Sequence, residues 1–106
     1  MAVKIITQRT VRPEKLGELQ SLLRQLRTKA INQQGYITGE TLISVDNPYT
    51  YVVISTWYSL KDWKDWESNR GRREIQGKIE NLLTTHSQMA VYEEQSTVPA
   101  DEYQDS

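Results

Sequence analysis

The sequence predicts an α+β domain in which one four-stranded antiparallel sheet carries helices on one of its faces, in the order β-α-β-β-α-β. Three observations lead there. The run YVVISTWYSL at 51–60 is strand-like throughout and passes straight into a helix start. Apolar residues recur three and four apart from Pro13 to about Gln34, and the turn chemistry of Asp46-Asn47-Pro48-Tyr49 separates two strand-like runs.

Taken in order, residues 2–11, AVKIITQRTV, are rich in β-branched side chains and form the first strand, with Val3, Ile5, Thr7 and Val11 on one face and Ile6 and Gln8 on the other. Pro13 suits a first helical turn, where its missing N–H has no intrahelical partner. Leu16, Leu19, Leu23, Leu26 and Ala30 then mark one helical face. Gly35 is the expected left-handed residue after that helix, although Asn32 can end it sooner.

Residues 36–45, YITGETLISV, read as the second strand, with Gly39 at a bulge or bend, and pair as a hairpin with the run around Trp57. Ser59 and Asp62 have the spacing of a capping box, and Leu60, Trp63 and Trp66 follow at threes. Ser68 and Asn69 cap a new helix or bend the old one. The helix marked by Ile75, Ile79, Leu82 and Leu83 is predicted to run to about Leu83 despite Gly77, and QMAVYEEQ at 88–95 is the fourth strand. This order is the ferredoxin-like split βαβ arrangement.

Both faces of the central strand are apolar or aromatic: Tyr51, Val53 and Trp57 on one, Val52, Ile54 and Tyr58 on the other. Helices on one side cover one face only. A second copy of the sheet is the expected cover for the other, giving a homodimer. Residues 1–95 form this domain, and the acidic tail at 96–106 is expected to be disordered or laid on the partner subunit.

Composition removes several classes of function. At 106 residues the chain holds one core, and with no Phe its three Trp must help fill it. The net charge of −1 argues against nucleic acid as a partner. No apolar run is long enough for a membrane span, and no signal peptide opens the chain, so a soluble cytoplasmic protein is expected. Without cysteine there is no disulfide, thiolate metal site or cysteine nucleophile, and a lone His86 in a polar turn gives neither a histidine metal centre nor a catalytic triad.

The stretch VVISTWYSLKDWKDW, with Trp57 on the strand, Ser59 at the helix start and Trp66 on that helix, is followed by Arg72 or Arg73 and a closing VYE. In these features, across roughly residues 3–94, the chain resembles the antibiotic biosynthesis monooxygenase family. That is a dimeric α+β barrel group which includes quinone-forming monooxygenases and haem-degrading enzymes. The haem-degrading pattern is matched by Trp66, but its strand-one Asn falls at Gln8 and its iron-ligating His at Gln76. An amide does not replace imidazole on iron, so haem is the disfavoured alternative.

The cofactor-free pattern is matched by Trp57, while its Asn falls at Val53 and its Tyr at Trp63. The resemblance therefore implies a cofactor-independent monooxygenase acting with O2 on a small aromatic or quinol. Trp57, Gln8 and Gln76 would be its catalytic residues, and Val53, Trp63, Trp66 and Arg73 would lie around the substrate. The other class of reading is a non-catalytic ligand-binding or stress-related dimer that keeps the pocket without the chemistry. The plainest reading of the three Trp is core packing in place of Phe, which the same residues can combine with lining a cavity.

Overall fold

Alternation on the first strand decides how the molecule is layered. In the computed structural model, which describes residues 1–95, β1 (Val3–Thr10) buries Val3, Ile5, Thr7 and Arg9 and turns Lys4, Ile6, Gln8 and Thr10 the other way. The chain continues through a 3-10 turn (Pro13–Lys15) into α1 (Leu16–Ile31), then β2 (Tyr36–Ile43), β3 (Thr50–Trp57), α2 (Leu60–Glu67), α3 (Arg70–Glu80) and β4 (Gln88–Glu93). The sheet is antiparallel in the order β2-β3-β1-β4, with the helices on one side, which is the predicted ferredoxin-like fold. The expectation for residues 96–106 falls outside the described residues.

Local chemistry accounts for the boundaries. Ser59 accepts from the Asp62 N–H at 3.1 Å, and its hydroxyl donates to Asp62 Oδ2 at 2.9 Å, which fixes the start of α2. Asn69 accepts from the Arg72 N–H at 3.1 Å, so it caps a separate α3 rather than bending α2. Gly35 lies in the left-handed region at φ 84°, beyond a helix that already ends at Ile31.

Gly39 and the end of α3 depart from expectation. The register shift in β2 falls between Tyr36 and Thr38, while Gly39 pairs regularly with Ser55; a side chain at Gly39 would instead meet the Tyr36 hydroxyl. The helix α3 stops at Glu80 instead of Leu83. The backbone beyond it is drawn into bonds with the end of β1: Arg12 N–H donates to the Leu82 carbonyl at 3.0 Å and Thr84 N–H to the Thr10 carbonyl at 2.9 Å.

The core is split in two. One cluster gathers Val3, Ile5, Ala30, Trp57, Trp63 and Trp66, and the other gathers Val11, Leu19, Tyr51, Ile75, Ile79 and Leu82. Between them the inward face of β1 carries Thr7 and Arg9, and that of β3 carries Val53 and Ser55. Two apolar clusters separated by a partly polar belt leave imperfectly filled space where the belt crosses.

Candidate active-site chamber

A chamber of about 60 Å³ lies at that belt, between the sheet and the helices. Its floor is Ile5, Thr7 and Arg9 on β1 and Val53, Ser55 and Trp57 on β3. Its walls include Tyr36, Leu26, Trp63, Trp66 and Arg72. The aromatic rings pack on one another: Trp57 meets Tyr36 edge-on at 5.4 Å, stacks on Trp66 at 6.2 Å and lies 6.1 Å from Trp63. Trp57 is wholly buried, and its Nε1 donates to Ser55 Oγ at 3.1 Å. The tryptophans are thus core and chamber wall at once.

Arg9 is the residue that sequence reasoning missed. It is only 4 % exposed, a rare state for an arginine without an acidic partner. Its Nη2 donates to Gln76 Oε1 at 2.9 Å, and its Nε has no hydrogen-bond partner. Burial, helped by the charge of Arg72 and opposed by that of Glu80, pushes the guanidinium down to about 10. Arg72 reaches the chamber from the first turn of α3, with its guanidinium 5.2 Å from the centre of the Trp63 ring and Nη1 donating to the Glu67 carbonyl at 3.2 Å. Burial lowers its pKa as well.

The predicted site residues sort by geometry. Val53, Trp57, Trp63 and Trp66 all line the chamber. Gln8 does not: strand alternation turns it outward, exposed on the opposite sheet face, and the inward neighbours Thr7 and Arg9 take its place. Gln76 is the acceptor that holds Arg9 and in turn donates to Glu80 Oε1 at 3.1 Å, so it supports the chamber from behind. Arg73 is exposed on a shallow surface with Ser68, Arg70 and Glu74; the helical position one residue earlier faces inward, so Arg72 and not Arg73 lines the chamber.

Glu80 anchors the far end of this network. Burial pushes its carboxyl up, but hydrogen bonds from the Ser87 hydroxyl and N–H and from Gln76, with the charge of Arg9, outweigh that and hold it below the ordinary value. His86 is fully exposed, 3.8 Å from Glu80, and lines no part of the chamber. No imidazole therefore faces the chamber among the described residues, and Gln76 is engaged with Arg9. The histidine ligand of the haem-degrading pattern is thus not met here.

The chamber adjoins the surface between α1 and β2. A surface groove bounded by Gln20, Arg24 and Tyr51 shares Leu23, Arg27 and Thr41 with the chamber, and Arg27 Nη2 donates to Thr41 Oγ1 across it at 2.9 Å. A benzene ring occupies an engineered cavity of about 150 Å³. The present space is smaller, and the exposed Arg27–Thr41 bond spans its edge.

The ferredoxin-like domain thus encloses a chamber walled by aromatic rings and arginines. The chain belongs to the antibiotic biosynthesis monooxygenase family, whose pattern it matches over residues 2–78. Among solved structures, a conserved protein of Methanosarcina mazei superposes with a TM-score of 0.86 at 18% identity, covering 90% of this chain and 94% of that one. SnoaB, a cofactor-independent oxygenase of Streptomyces nogalater, superposes with a TM-score of 0.82 at 19% identity over 92% of this chain and 97% of that one. At such identities the likeness is one of fold. No curated protein sequence matches the chain. Among the described residues no helix is long and apolar enough to cross a membrane, and no three His, Cys, Asp or Glu side chains gather as metal ligands.

Proposed function

We infer that the chain is a cofactor-independent monooxygenase acting on a small oxidisable aromatic, a quinol or a related hydroxy-aromatic. The observation that carries this reading is the make-up of the chamber wall. Three Trp and Tyr36 supply flat apolar surface, and Arg9, Arg27 and Arg72 are its only charged side chains, with no carboxylate or imidazole on it among the described residues. Such a wall has no general base with a pKa near neutrality. It suits a substrate that brings its own acidity and electrons.

An activated methylene or hydroxy-aromatic ionises to a carbanion or phenolate, and fixed cations stabilise that charge. The anion gives one electron to O2, and the two radicals join as a carbon-bound peroxide. With one proton taken up and water lost, a CH2 group becomes a carbonyl and O2 is fully accounted for. Arg9 and Arg72 stand where negative charge develops, and Trp57, Trp63 and Trp66 hold the ring. Family membership supports the reading, as does the fold shared with a protein described as a cofactor-independent oxygenase.

Oxygen uptake with a panel of hydroquinones and anthrones tests it. The expected result is uptake by the unmodified chain, unchanged in Arg73→Ala and reduced about 100-fold in Arg9→Gln, the scale of losing one oriented charge-stabilising donor. Binding without uptake across the panel would replace this reading with that of a non-catalytic ligand binder.

The same inference includes a homodimer through the outer sheet face. Ile6, Val52, Ile54, Leu42 and Ala90 form its centre, and Lys4, Gln8, Glu40 and Gln88 lie about them. A largely apolar centre with a polar surround is the make-up of a protein interface, and Gln8 becomes an interface amide. Sedimentation equilibrium at micromolar concentration is expected to give twice 12.4 kDa; a single-chain mass would remove the dimer.

A further inference from the structure

We propose that the chamber selects aromatic acids: planar rings that arrive carrying a carboxylate, which is seated between the Arg9 and Arg72 guanidinium groups. The proposal deepens the reading of the chamber as an aromatic-binding site and rests on it. Two desolvated cations approach one space from opposite walls, β1 and α3. Neither has an ion-pair partner among the described residues. Glu67, paired with Lys64 at 3.5 Å, and Glu80, bonded to Ser87 and Gln76, favour the charged arginines only from beyond ion-pair distance, and burial outweighs them.

Burying a guanidinium with only a neutral amide as acceptor is costly, and a second cation nearby adds to the cost. Three buried donors are left over among the described residues: Arg9 Nε and Trp63 Nε1, whose side chains line the chamber, and Arg12 Nε, whose side chain does not. Unsatisfied donors of this kind in a site otherwise lined by Trp57, Trp66, Leu26 and Ile5 call for a ligand with an anionic end and an apolar plane. A charge that exists only during the reaction leaves the cations unmatched when substrate binds. A carboxylate matches them on arrival, and the fork of Arg9 suits its two oxygens.

All three tryptophans of the chain line the chamber, so intrinsic fluorescence reports on it directly. Titration with benzoate and with benzamide compares two rings of the same shape that differ in charge, and inorganic phosphate supplies an anion without a ring. Benzoate is expected to bind at least about tenfold tighter than benzamide, with phosphate failing to compete. Arg9→Gln is expected to bring the two affinities together while Arg9→Lys restores part of the difference. Should Arg9→Gln not fold, as judged by thermal melting, Arg72→Gln makes the same comparison from a less buried position.

Equal binding of benzoate and benzamide would overturn acid selection and leave the aromatic chamber standing. Phosphate competing as well as benzoate would overturn it in favour of a simple anion hole. Binding of neither ring would remove the aromatic chamber itself, and the proposal with it.

Discussion

Replacing Trp57 by alanine is expected to lower the free energy of unfolding by about 3–5 kcal/mol, near the upper end for single core truncations. The ring is wholly buried and touches three other aromatic rings, and its indole N–H is bonded to Ser55. Truncation would enlarge the chamber and leave Ser55, Tyr36 and Trp66 facing a void that the two-layer packing closes only in part. For a domain whose whole stability is about 5–15 kcal/mol, that is a large share. Urea unfolding followed by circular dichroism measures it, as a lower midpoint with an unchanged slope. A loss below about 1 kcal/mol would mean that the ring is not packed as described. Trp57→Phe separates the two roles of the residue, since it keeps an aromatic core and gives up the Ser55 hydrogen bond. A folded Phe variant with weakened ligand binding would assign Trp57 to the chamber wall as well as to the core.

The fold was legible because every element carries its own local signal, from the apolar stripe of α1 to the Ser59 cap of α2. The chamber was legible only in part. Trp57, Trp63, Trp66 and Val53 belong to elements whose inward face is set by periodicity, and they fall on it. The polar site residues needed the same rule applied to polar positions. Val3, Ile5 and Val11 fix the inward parity of β1, which selects Thr7 and Arg9 and rejects Gln8.

On α3, Arg72 precedes Ile75 by three residues and Ile79 by seven, which puts it on the buried stripe and leaves Arg73 outside. The bond from Arg9 to Gln76 could not be read so. It joins residues 67 apart in the chain, and nothing in either local sequence specifies that β1 and α3 meet there. The early end of α3 has the same origin, because bonds to the end of β1 override the local preference of Leu82 and Leu83.

Gly35→Ala is expected to destabilise the chain by about 2–4 kcal/mol, the sum of a strained left-handed residue and a damaged helix cap. At φ 84° an alanine already pays the steric cost of that region. Its Cβ would also fall 2.3 Å from both Cγ and Oδ2 of Asp62. Asp62 cannot step aside freely, because its N–H and its carboxylate are both bonded to Ser59 at the start of α2. Nor can the Gly35 backbone withdraw, since its carbonyl accepts from the Tyr58 N–H at 2.7 Å where β3 runs into that helix.

The strain therefore reaches the helix that carries Trp63 and Trp66, so the chamber should loosen along with the fold. Gly77→Ala is the counterpart: it sits within α3 with nothing near its missing side chain, and alanine there is expected to stabilise by about 0.5–1 kcal/mol. The same chemical change should thus shift the urea midpoint in opposite directions at the two glycines. A Gly35→Ala midpoint at or above that of the unmodified chain would refute the close approach of Gly35 to Asp62. It would also remove the reason for a glycine between α1 and β2.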